Sequence, residues 1–236
     1  MNNVALVTGG AKGIGLDIAK QLSKEGFNVV ATYNTTPPPE LADKVIFKKL
    51  DITNQDSCKK FVIDLIKDGL NPSILINNAG VTRDGMFHKM SSADWCEVLN
   101  VNLLSLFCIT QEVFKIMRDQ NFGRIINISS VNANKGQVGQ VNYCASKAGV
   151  QGFTKALALE GARYGVTVNT VSPGYINTDM VSNINQNIVE QIKNSIPVGR
   201  LGETSEISRV VCFLASEKSS FITGSNIEIN GGMYFS

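Results

Sequence analysis

One histidine and one tryptophan stand among the 236 residues. The lone imidazole, His88, offers little for a histidine-built metal or acid–base site, and Trp95 suits packing better than stacking on a ligand. Cysteine is sparse and odd in number: Cys58, Cys96, Cys108, Cys144 and Cys212 are dispersed, with no CxxC pair and no metal-ligand spacing. They read as reduced thiols of a cytoplasmic protein, mostly interior, although Cys144 adjoins a residue singled out below. No apolar run is long enough to span a bilayer. The first residues, MNNVALVTGG, enter a strand pattern at once, without the basic and apolar stretches of a secretion signal. Charge of one sign is missing too: the net value is +2, with lysine and arginine scattered. That gives no footprint for a nucleic acid and no basic amphipathic helix for a membrane surface.

What remains is an ordinary soluble composition, 43% apolar and 18% charged, in a chain long enough for one large domain. Short β-rich runs alternate with helical patterns. The runs are Val4–Val7, Asn28–Tyr33, Val45–Leu50, Ile74–Ile76, Arg124–Ile128, Val166–Val171 and Asn226–Ile229. Ile14, Ile18 and Leu22 mark a first helix. Others lie around Cys58 to Leu65, Leu103 to Arg118, Tyr143 to Arg163 and Glu206 to Ala215. Residues 35–39 (TTPPP) read as a loop. Such alternation predicts an α/β fold, a Rossmann-like, doubly wound parallel sheet of about seven strands with helices on both faces. No repeat or linker divides residues 1–236, so they read as a single dinucleotide-binding reductase domain. Ligands in such folds bind beyond the carboxyl ends of the strands.

Two groups of residues there carry chemistry. Tyr143 and Lys147 are four apart on a helix, hence on one face, with a rise of about 6 Å between them. A fixed ammonium beside a phenol favours the phenolate and makes its proton available. Ser130 lies thirteen residues before Tyr143. The second group is the turn Gly9-Gly10-Ala11-Lys12-Gly13-Ile14-Gly15, between a strand and a helix. Its glycines permit a tight turn and close approach of a pyrophosphate to the helix N-terminus; the duller reading is a plain turn. The spacing is GxxxGxG, neither GxGxxG nor a phosphate loop. The second strand ends at Tyr33-Asn34 without the acid that would bind an NAD ribose, and Lys12 can meet a 2′-phosphate, unless it is simply solvated. NADPH is therefore favoured over NADH.

These residues, with NNAG at 77–80, NVN at 100–102, YCASK at 143–147 and SPGYINTDM at 172–180, resemble the short-chain dehydrogenase/reductase family over essentially the whole chain. The resemblance implies roles. Tyr143 is the catalytic acid, and Lys147 holds the nicotinamide ribose and lowers the Tyr143 pKa. Ser130 orients the substrate carbonyl, and Asn102 anchors a relay water. It implies cofactor contacts from the glycine turn, Asn34, Asp51, Ile52, Asn78, Ala79, Gly80, Pro173, Gly174, Ile176 and Thr178. Asp51 as a strand-end cap and Thr178 as a helix cap stay open as alternatives, and no metal is implied.

Within the family, residues 196–208, 213–224 and 229–235 are similar to 3-oxoacyl-[acyl-carrier-protein] reductases. Residues 81–90, 128–143 and 165–181 resemble acetoacetyl-CoA reductases of polyhydroxybutyrate synthesis, the paired Gln137 and Gln140 most of all. Asp84, Gln137, Gln140 and Tyr175, together with Ser130 and Tyr143, are then expected around a short acyl thioester. The expected reaction is reduction of acetoacetyl-CoA to the (R)-3-hydroxyacyl product, with the carrier-protein thioester as alternative. An alcohol or ketone dehydrogenase and a non-catalytic dinucleotide-binding regulator are the remoter readings. Segment 182–194 is either a lid or an ordinary surface helical pair. The resemblance also implies a homotetramer, and the apolar end Met233-Tyr234-Phe235 suits a subunit contact.

Overall fold

Val4–Val7 is apolar at every position and buried at every position, because both faces of its sheet are covered. The computed structural model describes residues 3–36, 38, 44–178 and 186–235. Among them lie seven strands: β1 Val4–Val7, β2 Asn28–Tyr33, β3 Val45–Lys49, β4 Pro72–Asn77, β5 Gly123–Ile128, β6 Val166–Pro173 and β7 Asn226–Ile229. They form one sheet in the order β3-β2-β1-β4-β5-β6-β7, every pairing parallel. The order turns outward in both directions from β1 and β4. Their carboxyl ends therefore open a crevice, the place where doubly wound sheets bind ligands.

The helices are α1 Gly13–Lys24, α2 Gln55–Lys67, α3 Ser92–Leu99, α4 Ser105–Gln120, α5 Asn132–Lys135, α6 Val141–Gly161, α7 Gln186–Ser195 and α8 Thr204–Ala215. Alternate residues of β1 serve opposite layers. Ala5 and Val7 join Ile18 and Leu22 of α1 and Ile207 and Val211 of α8. Val4 and Leu6 join Val62 and Leu65 of α2 and Ile109 and Val113 of α4. This is the two-sided covering that the strand–helix alternation predicts.

Helix starts follow local chemistry. Asn54 caps α2 by accepting from Ser57 N–H, and Ser91 caps α3 by accepting from Asp94 N–H. Glu203 and Glu206 form a reciprocal box at α8. α1 differs: Lys12 at its cap makes no side-chain bond, and no acid lies in its first turn. Between α3 and α4 the chain passes through a π turn, Asn100–Leu104, which the apolar pattern alone does not reveal. β4 and β6 outrun the expected strands by continuing into Asn77 and into Ser172-Pro173. The apolar pattern does not announce α3, while α7 overlaps segment 182–194, expected as a lid or a surface helical pair; residues 182–185 of that segment, with 37 and 39 of the expected loop, lie outside the described residues.

Candidate active site

α6 begins at the mouth of the crevice and sets Tyr143 one turn before Lys147. Lys147 is 4% exposed, and its ammonium donates to the Ile128 carbonyl, the last of β5, at 2.8 Å. It stands 5.8 Å from the Tyr143 ring centroid. Burial without a carboxylate partner lowers the Lys147 pKa from 10.5 to about 8. The Tyr143 phenol moves the opposite way from the expected lowering. Desolvation pushes it up to about 12, and a hydrogen bond with Ser130 offsets part of that rise. Cys144 and the Asp84 carboxylate push it slightly further up. The reason is burial: the Lys147 ammonium bonds to the Ile128 carbonyl, and desolvation of the phenol dominates.

The two neighbouring serines divide the work. Ser129 turns inward and donates to the Lys147 carbonyl at 2.9 Å, fastening β5 to α6. Ser130 is the one beside the phenol, as its spacing predicts. Asn102, fully buried in the π turn, accepts from Val81 N–H at 2.8 Å and donates to Val81 C=O at 2.9 Å. It also donates to Ser146 Oγ at 3.2 Å, and Ser146 in turn donates to the Tyr143 carbonyl at 2.7 Å. Its side chain is thus a brace between the loop after β4 and the catalytic helix. A Cβ on Gly80 would lie 3.3 Å from Asn102 Oδ1 and 3.5 Å from Lys147 Nζ, which brings the NNAG turn to the same spot.

Behind these groups a buried polar ladder crosses the sheet. Asn77 donates to Thr110 Oγ1 at 3.0 Å and to Asn127 Oδ1 at 2.8 Å. Asn127 donates to Thr154 Oγ1 at 2.8 Å, and Thr170 reaches the same oxygen at 2.8 Å. Every member is satisfied, so the ladder fixes β4, β5, β6, α4 and α6 in one register.

The glycine turn fits a dinucleotide. Gly9 and Gly13 take φ of +63° and +53°, open to glycine and costly for other residues. A Cβ on Gly15 would overlap the Gly9 carbonyl oxygen and the Asn78 amide, so backbone lies bare at this end of α1. The first turn of α1, uncapped and free of acid, leaves its N–H groups for an anion. Asn78 holds the floor, donating to the carbonyls of Thr8 and Gly9, both at 3.0 Å. Thr178 stands across the turn, its methyl 3.7 Å from where a Gly13 Cβ would be. Lys12 and Asn34 are exposed at the rim, Ile14 is half-buried, and Ala11 and Ile52 are buried. Asp51 Oδ1 accepts from Thr53 N–H at 2.9 Å and from its hydroxyl at 2.7 Å, the capping geometry named as the alternative. Gly174 packs on the Asn230 backbone, and Ile176 bridges to Gly202.

The expected substrate residues meet only in part. Gln140 Nε2 donates to Asp84 Oδ2 at 2.8 Å, and the backbones touch where Gly85 N–H meets the Gly139 carbonyl at 2.8 Å. Tyr175 lies near enough that Asp84, after burial, helps raise its pKa. Gln137 turns away and accepts from Lys135 Nζ at 3.0 Å. Asn132, which the sequence reading passed over, joins this wall by donating to Gln140 Oε1 at 2.9 Å. Among the described residues no group of three or more His, Cys, Asp or Glu could hold a metal, and no helix is long and apolar enough to cross a membrane.

Residues 9–234 match a family model described as enoyl-(acyl carrier protein) reductase. The acetoacetyl-CoA reductase of Shinella zoogloeoides is 49% identical, with all of both chains covered. The 3-oxoacyl-[acyl-carrier-protein] reductase of Haemophilus influenzae is 41% identical over 99% of this chain and 98% of that one. Among solved structures, a candidate gluconate dehydrogenase from Agrobacterium tumefaciens superposes with a TM-score of 0.93 at 29% identity, covering 98% of this chain and 95% of the other.

Proposed function

The chain belongs to the short-chain dehydrogenase/reductase family, and from that premise we propose that it reduces a short 3-oxoacyl thioester with NADPH, acetoacetyl-CoA to (R)-3-hydroxybutyryl-CoA. The observation that carries the reading is the meeting of Ser130, Tyr143 and Lys147 at the crevice, beside a wall made by Asp84, Gln140 and Tyr175. Full-length similarity to acetoacetyl-CoA reductases supports the substrate.

The roles follow from what each group can do. NADPH, when bound along the glycine turn and the NNAG floor, supplies the hydride. Ser130 and Tyr143 hold the 3-oxo oxygen between two hydroxyls. With its pKa pushed up to about 12, Tyr143 carries its proton at neutral pH, the form required of an acid. As charge develops on the oxygen, the phenol gives up that proton. Lys147 keeps a positive charge or a ready proton within reach, its pKa of about 8 lying close to neutrality. Asn102 holds Val81 and Ser146, and through them the floor and the catalytic helix.

A second reading, the carrier-protein thioester as substrate, is favoured by the 41% identity to a reductase of that class. Acidic carrier proteins need a basic rim. Arg83 at this rim is instead paired with Glu97 by two bonds of 2.8 and 2.7 Å, which leaves it little charge to offer such a partner. Steady-state rates decide between them. kcat/KM should be higher for acetoacetyl-CoA than for acetoacetyl carrier protein, and higher with NADPH than with NADH. A large preference for the carrier protein moves the chain into fatty-acid elongation, and a preference for NADH removes the role given to Lys12.

The proposal extends to a cytoplasmic homotetramer. Leu104 at the end of the π turn, Phe107 in the first turn of α4, Phe213 on α8, and Phe221 and Phe235 are exposed apolar groups suited to subunit contacts. Light scattering at working concentration checks it, and a monomer would reject it.

A further inference from the structure

Asn132, the first residue of α5, is 6% exposed and touches both parts of the site. Its backbone N–H donates to Ser130 Oγ at 3.2 Å. Its side-chain Nδ2 donates to Gln140 Oε1 at 2.9 Å, and Gln140 Nε2 donates to Asp84 Oδ2 at 2.8 Å. The direction of this relay is dictated at one end. A carboxylate only accepts, so Gln140 must offer Asp84 its amide hydrogens. That turns the Gln140 oxygen toward Asn132, which must answer with its own NH2 group. Asn132 Oδ1 is left buried without a partner. Leaving an acceptor buried and unpaired forfeits its hydration with no bond in return, so the arrangement is poor for stability and calls for a functional reason.

We infer that Asn132 is a positioning residue of the reductase, tying the Ser130 hydroxyl to the Gln140–Asp84 wall through its backbone and side-chain amides. Because Ser130 Oγ accepts from the Asn132 N–H, its single hydrogen is free for the Tyr143 side, where the substrate oxygen is held. Because both ends of Gln140 are engaged, the wall opposite keeps one orientation. The distance between the reacting carbonyl and the thioester's contacts is thereby set by a residue that touches neither. The inference rests on the reductase reading above.

Reversing the relay tests it. In Asn132→Asp the new carboxylate accepts only, Gln140 must turn its NH2 toward it, and the Gln140 oxygen then faces Asp84. Adding Asp84→Asn supplies a donor at the other end and restores all the bonds in the opposite sense, with total charge unchanged. On acetoacetyl-CoA, Asn132→Asp should lower kcat/KM by about tenfold, the cost of about one broken buried contact. Asp84→Asn alone should cost about threefold or less, since its amide oxygen still accepts from Gln140. The double variant should regain about fivefold over Asn132→Asp, a coupling that independent sites would not show. A double variant no faster than Asn132→Asp overturns the inference, because a packing role gives no rescue. The side-chain amide resonances of Gln140, followed by NMR in protein without nucleotide, report on the relay apart from turnover. They should shift in both Asn132→Ala and Asp84→Ala, and unmoved resonances would reject the relay. If the natural chain reduces no 3-oxoacyl thioester while those resonances do shift, the reductase reading has failed and the relay has not.

Discussion

Replacing Lys147 by methionine should change how stability depends on pH more than it changes stability itself. The ammonium is buried, has the Ile128 carbonyl as its partner, and titrates at about 8 instead of 10.5. Holding it charged in the fold costs about 3 kcal/mol at pH 7. Methionine removes that cost but strands the Ile128 oxygen, at about 1–3 kcal/mol, so at pH 7 the two effects largely cancel. Their pH dependences do not. Below pH 8 the folded and unfolded chains both carry the lysine proton, and the natural protein bears the full penalty. Between pH 8 and 10.5 the unfolded chain keeps a proton that the folded one has released, so stability rises with pH. The natural protein should therefore gain about 1 kcal/mol on the methionine variant between pH 7 and pH 9. Urea midpoints without nucleotide, at fixed protein concentration and unchanged m, measure the difference. Tyr143, raised from 10 to about 12, acts in the opposite sense only above pH 10 and is present in both proteins. A difference that stays flat from pH 7 to 9 would refute the assignment of a depressed ammonium.

Tyr143→Phe should abolish turnover while NADPH binding, read by fluorescence titration, stays nearly intact; appreciable turnover would end the acid role. Gly15→Ala drives a methyl into the Gly9 carbonyl and the Asn78 amide, and the Kd for NADPH should rise by about tenfold or more, with acetoacetyl-CoA KM little changed. Arg124 is 2% exposed and donates to the carbonyls of Gly123, Gly165, Ser216 and Glu217 at 2.8 to 3.3 Å. Arg124→Ala should cost about 3 kcal/mol, or roughly 6–12 °C in Tm for a chain of this size, checked by calorimetry.

The sheet was legible in the sequence because strands covered on both faces must be continuously apolar, as in Val4–Val7 and Val29–Ala31. The motif residues at strand ends were legible because glycine and paired catalytic groups have few substitutes. Other features left no such trace. α3 buries only Val98 fully, so its apolar stripe is too narrow to announce a helix. The π turn lies in NVNLL, where apolar neighbours hide a change of register. Asn102 spends its amide on Val81, and that pairing exists only after two segments have folded together. Asn132 and Asn134 look alike in sequence; only the fold turns the first to Gln140 and the second to Glu228. The Tyr143 pKa runs against expectation because four-residue spacing fixes a face and not how deeply the phenol is buried.

The outward turn of the strand order at β1 has a consequence during synthesis. β1 can pair with β2 as soon as Asn28–Tyr33 emerges, but its other edge waits for β4, which ends at Asn77. At about 5–20 residues per second the wait lasts roughly 2–9 s. Throughout it the nascent chain carries an apolar edge, Val4–Val7, with unpaired amides and carbonyls along one side. The strand that ends most deeply buried is thus among those open longest to a wrong partner, and slow decoding between residues 34 and 77 would lengthen its exposure.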